Sequence, residues 1–196
     1  MRKIIFLDID GVLNHNDFYK KYPPEIRNAW RDLNEDEFGD MFSPESIHHL
    51  NVITDVCNAE IVISSTKRLD TKGDLKLMQE IMHKRGINGK LVGITPYMRY
   101  NNSFKATVPR GCEIKFWLEM RGFTHINWNK DIQEEYIKSS GISNYIIIDD
   151  DSDMLYEQRN HFIHTLPPPR HYAGLDEKYC KEAIYKLSKT VIDLNY

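Results

Sequence analysis

Short unbroken apolar runs alternate along this chain with stretches of helical period. Ile4-Ile5-Phe6-Leu7 is apolar at odd and even positions alike, which predicts a strand over residues 3–9 covered on both faces. Ala59-Glu60-Ile61-Val62-Ile63, Leu91-Val92-Gly93-Ile94 and Asn144-Tyr145-Ile146-Ile147-Ile148 predict three more strands, and His161-Phe162-Ile163-His164 a fifth. Ser43-Pro44 opens a helix, with serine as cap and proline at the first helical position. Ile47, Leu50, Ile53, Thr54 and Cys57 carry it to about residue 58. Leu75, Leu77, Met78, Ile81 and Met82 predict a helix over 73–85, closed by Gly86. Ile114, Phe116, Trp117 and Leu118 predict another over 111–121, with Trp117 in the core. Helices are also expected at about 131–139 and from Asp176 through Tyr179, Ala183, Leu187 and Val191. Strand and helix in alternation predict an α/β fold.

The stretches between these elements are of two kinds. Residues 15–42 are polar and aromatic-rich, with Tyr22-Pro23-Pro24 and the acidic Glu35-Asp36-Glu37, and are expected to be irregular. That is long for a connection, so the segment is either a flap over a site or a surface excursion. Residues 97–110 place Arg99, Lys105 and Arg110 among Tyr97, Tyr100 and Phe104. Such a loop either holds a phosphorylated or base-bearing substrate or is a solvated loop with packed rings. Pro167-Pro168-Pro169 makes a stiff connection. Without repeats or low-complexity tracts, the expectation is one domain over 1–196 with insertions at about 15–42, 86–109 and 123–140.

Composition narrows the function. A net charge of −3 over 196 residues gives no overall basic field for nucleic acid. Cys57, Cys112 and Cys180 are widely spaced and odd in number, which fits reduced thiols better than a disulfide framework. His48-His49 has no matching ligand pair for structural zinc. The apolar run after Met1-Arg2-Lys3 is too short for a signal peptide or a membrane span, so a cytoplasmic protein without membrane association is expected. No obligatory protein partner is indicated.

The candidate chemistry lies where strands end. Asp8 and Asp10 close the first apolar run on one parity, and Gly11 then lets the backbone turn away. Two carboxylates this close repel unless a cation stands between them, and at a sheet edge they suit a metal and a phosphate. The second strand ends in Ser64-Ser65 and the fourth in Asp149-Asp150. In a parallel sheet these ends lie on one edge, so groups of complementary chemistry converge.

The chain resembles the haloacid dehalogenase superfamily of phosphohydrolases. Phe6-Leu7-Asp8-Ile9-Asp10-Gly11-Val12 is similar to its first motif, Ile61-Val62-Ile63-Ser64 to its second and Ile146-Ile147-Ile148-Asp149-Asp150 to its fourth. Arg110-Gly111-Cys112-Glu113-Ile114 resembles the Arg-Gly-x-Glu-Ile stretch of a subgroup related to the phosphatase-like domain of Swiss Army Knife RNA repair proteins. Phe42-Ser43-Pro44-Glu45, Ser64-Ser65-Thr66-Lys67-Arg68, Gly93-Ile94-Thr95-Pro96 and Gly174-Leu175 are also similar to that subgroup. Lys67 stands where an aromatic residue is common, and residues 123–140 look like an insertion. By the resemblance the cation of the third motif is Arg110, and the insertion leaves Lys115 and Lys130 as alternatives.

The resemblance implies a three-layer, Rossmann-like fold with short flaps. It implies a Mg²⁺-dependent phosphatase working through an aspartyl-phosphate on Asp8. Asp10 would serve as acid and base and give its backbone carbonyl to the metal. Ser64 and Arg110 would stabilise the transferring group, and Ser65, Gly11 and Arg68 would bind substrate. Asp150 and Asp149 would join Asp8 as metal ligands, with Asp153 orienting them. An ionised carboxylate needs no base to attack phosphorus; what it needs is relief from phosphate repulsion, which Mg²⁺ supplies. The subgroup suggests a nucleotide or a nucleic-acid-end phosphate as substrate. A non-catalytic phosphate-binding module, a phosphatase of small metabolites or phosphoproteins, a receiver-type domain and a metal nuclease are the competing readings. A pure binder has no use for both Asp8 and Asp10, and a receiver domain would place its acid pair the other way round.

Overall fold

A computed structural model describes residues 1–33, 36–39, 41–98, 108–123, 138–165 and 174–189. Five strands, β1 (Arg2–Leu7), β2 (Ala59–Ile63), β3 (Leu91–Ile94), β4 (Ile142–Asp149) and β5 (Phe162–His164), form one sheet in the order β3-β2-β1-β4-β5. Every pairing is parallel. The described α-helices include α1 (Asn16–Lys21), α2 (Pro24–Leu33), α3 (Pro44–Cys57), α4 (Leu75–Lys84), α5 (Arg110–Glu119) and α6 (Glu177–Ser188).

The unbroken apolar runs are explained by two covered faces. Ile5, Leu7, Ile61, Ile63, Ile146 and Ile148 point into one core, shared with Leu50 and Ile53 of α3, Met78 and Met82 of α4 and Ala183 and Leu187 of α6. The alternate positions Ile4, Phe6, Val62, Tyr145 and Ile147 point into the other, against Ile114, Trp117 and Leu118 of α5. Trp117 meets Phe6 edge-on, with ring centroids 5.3 Å apart. Period-two alternation thus feeds two cores, the three-layer α/β arrangement.

Caps set the helix ends. Ser43 accepts from Ser46 N at 3.4 Å at the start of α3, as the sequence indicates. Asp74 and Asp176 do the same for α4 and α6. The expected irregularity of 15–42 is corrected: it contains α1 and α2, with Pro24 opening the second. Its next described piece is pinned to the body. Asp36 receives Arg85 Nε at 2.8 Å and Nη2 at 2.6 Å, and Phe38 and Phe42 are buried. Residues 36–39 and 41–42 are thus anchored in the core rather than poised as a free flap. The strand expected over 3–9 ends at Leu7. Arg99, Tyr100, Phe104 and Lys105, Lys130, most of the helix expected at 131–139, Pro167-Pro168-Pro169 and Val191 lie outside the described residues. Among the described residues no helix is long and apolar enough to cross a membrane.

Candidate active site

Strand register brings the candidate residues together. Leu7 is level with Ile63 on one side and Ile148 on the other, and Ile63 with Ile94. One step further along each strand stand Asp8, Ser64, Asp149 and Thr95. The ladder continues into this row: Asp8 N donates to Ile148 O at 3.0 Å, Ser64 N to Leu7 O at 2.8 Å and Thr95 N to Ile63 O at 2.9 Å. A row of side chains at the carboxyl edge of a parallel sheet is where such folds bind ligands.

Carboxylate oxygens of Asp8, Asp149 and Asp150 lie within 4.8 Å of one another. Burial pushes the Asp8 carboxyl up to about 7, against the opposing pull of a hydrogen bond from the Ser65 hydroxyl, the Arg110 charge and the Ile9 N–H. Burial also raises Asp149 well above the usual carboxylate range, and the charge of Asp8 adds to it. Asp150 is raised by burial and by Asp151 and Asp10 nearby. Three crowded, buried carboxyls are costly to ionise together unless a cation stands among them. Hard oxygen donors gathered in this way suit a divalent cation of the Mg²⁺ kind.

The backbone after Asp8 shapes this cluster. Gly11 has φ 72° and backs directly onto Asp150, so that a Cβ there would overlap the Asp150 carboxylate. Asn14 closes the turn: it bridges to Asp10, and its Nδ2 donates to Asp10 Oδ1 at 2.7 Å. Asp10 is therefore at the site, but its carboxylate stands apart from the three-acid cluster. Thr165 Oγ1 reaches Gly11 O at 3.4 Å, and His164 Nε2 is 3.0 Å from Asp150 O.

The two serines differ. Ser64 Oγ accepts from Thr95 Oγ1 at 3.5 Å, whereas the Ser65 hydroxyl is the one that binds the Asp8 carboxylate. Arg110, at the first position of α5, brings its Nε to 3.9 Å from Asp149 Oδ2. Its backbone N donates to Asp153 Oδ2 at 2.7 Å, so Asp153 holds the start of α5. Lys115 is drawn to Glu157 at 2.8 Å. Of the described candidates for the third-motif cation, Arg110 is thus the one beside the acids.

Arg68, expected to contact substrate, is 3% exposed. Its Nη1 donates to Ser65 O at 2.6 Å and its Nη2 to Glu113 Oε2 at 2.7 Å. Glu113 enters the sequence analysis only as the acid of the Arg-Gly-x-Glu-Ile stretch, with no role of its own, although it stands one helical turn after Arg110, a spacing that pairs side chains. Asn14 was missed as well, because nothing but the turn brings it to Asp10. A separate cleft of about 440 Å³, lined by Arg2, Glu60 and Lys90 among others, opens by the start of β2 and before β3 and includes none of these site residues.

The family model described as "HAD domain in Swiss Army Knife RNA repair proteins" matches residues 4–179. The chain belongs to this family. It is a haloacid dehalogenase-type domain of the phosphohydrolase class, and the matched range takes in Asp8, Ser64, Arg110 and Asp149-Asp150. No curated protein and no solved structure matches it. The all-parallel sheet of the haloacid dehalogenase domain holds those motifs on one edge.

Proposed function

We propose that this domain is a Mg²⁺-dependent phosphomonoesterase that uses Asp8 as nucleophile. The observation that carries the reading is the cluster of Asp8, Asp149 and Asp150 beside Arg110. Asp8, Asp149, Asp150 and the Asp10 backbone carbonyl would hold Mg²⁺. Bound there, the ion supplies positive charge that lowers the acids' pKa values and offsets repulsion between Asp8 and a phosphate dianion.

The side chains then have separate tasks. An Asp8 carboxylate oxygen attacks phosphorus and the bond to the leaving oxygen breaks, giving an aspartyl-phosphate. Asp10, oriented by Asn14, donates a proton to that leaving oxygen. It then takes a proton from the water that attacks the phosphoryl group, which releases phosphate and restores Asp8. Ser64 and Arg110 stabilise the charge that spreads over the phosphoryl oxygens. Ser65 fixes the Asp8 carboxylate.

The substrate is a nucleotide or a nucleic-acid-end phosphate. Support comes from the RNA repair proteins in which the family's domains occur. The test is a Mg²⁺ phosphatase screen across 3′- and 5′-phosphorylated oligonucleotides, nucleotides, phosphopeptides and sugar phosphates. Oligonucleotide ends or nucleotides are expected to turn over fastest. A preference for sugar phosphates overturns the substrate assignment.

A further inference from the structure

Glu113 is a carboxylate placed among cations on the edge of an anion site, 2% exposed. One of its oxygens, Oε2, accepts from Arg68 Nη2 at 2.7 Å and from Arg110 Nη1 at 3.1 Å. The other, Oε1, accepts from Met98 N at 2.8 Å. Arg68 runs on to Ser65 O at 2.6 Å, and the Ser65 hydroxyl binds Asp8. Arg110 runs on towards Asp149. A continuous chain of contacts therefore leads from Asp8 through Ser65, Arg68, Glu113 and Arg110 to Asp149, on the cationic side of the acid cluster.

An arginine with several rotatable bonds loses conformational entropy when it is held against one face of a phosphate. Glu113 removes that freedom beforehand. It fixes one end of the Arg110 guanidinium and leaves Nε turned to the acids. Arg68 spends its guanidinium on Ser65 O and Glu113, and it neutralises Glu113 while tying it to the β2 edge. Two guanidiniums on one carboxylate leave one net positive charge.

We propose that Glu113 is a positioning residue for phosphate binding, acting through Arg110, with Arg68 as its brace. The inference rests on the preceding reading only in taking the ligand to be a phosphate. Its electrostatic sign makes it testable. As a bare negative charge beside an anion site, Glu113 would weaken phosphate binding, and its removal would strengthen it. As a positioning residue its removal weakens binding.

The experiment is calorimetric titration of inorganic orthophosphate, with Mg²⁺, into the wild type, Glu113→Gln, Arg110→Ala and the double variant. Positioning predicts that Glu113→Gln loses affinity by about tenfold, the worth of one charge-assisted hydrogen bond. It also predicts that the double variant binds no worse than Arg110→Ala alone. Unchanged or tighter binding by Glu113→Gln overturns the proposal. So do multiplying losses in the double variant, or a wild type that binds no orthophosphate. If Glu113→Gln does not fold, Glu113→Asp keeps the charge facing Arg68 but withdraws it by one methylene. Lost affinity then supports the proposal and unchanged affinity overturns it. Turnover of an aryl phosphate by the wild type, measured in parallel, judges the phosphatase reading separately.

Discussion

Arg110 Nε and Asp149 Oδ2 stand 3.9 Å apart, and the contact joins the start of α5 to the end of β4. It is too long for a hydrogen bond, but it leaves the guanidinium facing the three acids and the space a phosphate would take. The backbone at the same point is tied down, with Arg110 N on Asp153 Oδ2.

Truncation of this side chain should therefore cost transition-state stabilisation. Arg110→Ala is expected to lower kcat by about a hundredfold to a thousandfold, as for loss of one preorganised donor. Lys115→Ala should keep nearly full activity, because Lys115 is occupied with Glu157 on another part of α5. Steady-state kinetics on an aryl phosphate compares the two directly.

The acid cluster makes the metal-free protein sensitive to pH. Asp8 titrates near 7 when folded, against an ordinary value of 3.8. Between those values the folded state keeps a proton that the unfolded state has lost, so stability falls as pH rises from about 4 to about 7. Asp149 and Asp150, also raised, act in the same direction. In the presence of a chelator, the urea midpoint should be lower at about pH 8 than at about pH 5. Asp8→Asn should shrink that difference and raise the midpoint at the higher pH.

On the proposed binding of Mg²⁺ by the folded acid cluster, the ion should reverse the loss. A hundredfold excess over its Kd stabilises by about 2.7 kcal/mol. Gly11→Ala should blunt this gain. Its Cβ would overlap the Asp150 carboxylate, and its φ of 72° strains any side chain. Thermal melts of both proteins across a Mg²⁺ titration measure the effect.

The Asp36–Arg85 pair tests the anchoring of residues 36–39 and 41–42. Both side chains are almost fully buried, and Arg85 lies over the Phe42 ring at 4.4 Å. Burial opposes ionisation of Asp36, but the two Arg85 contacts hold its carboxyl below the usual range. Arg85→Ala leaves a buried charge unpaired and should cost about 3–5 kcal/mol, measured by urea unfolding.

Much of this was legible in the sequence because strand ends are local signals. Ile4 to Asp10 shows a doubly buried strand turning into acids, and β2 and β4 repeat the form, so a parallel sheet aligns their ends without further information. What was not legible depends on distance or on turn geometry. The choice between Ser64 and Ser65 for the Asp8 contact is made by the turn after β2, where both residues have the same chemistry. The Arg68–Glu113 pair joins segments with no sequence relation. The helices within 15–42 hid behind polar composition and an unusual cap, His15 Nδ1 accepting from Phe18 N at 3.3 Å. Pro23-Pro24-Glu25 did carry a helix-start signal.

The most direct test of the central claim is phosphate release from an aryl phosphate, with Mg²⁺, by the wild type and by Asp8→Asn. Melting temperatures confirm that both are folded. A nucleophilic Asp8 predicts Mg²⁺-dependent release by the wild type and a fall of about a thousandfold or more in the variant. Full activity in Asp8→Asn, or none in the wild type with any phosphomonoester, would contradict it.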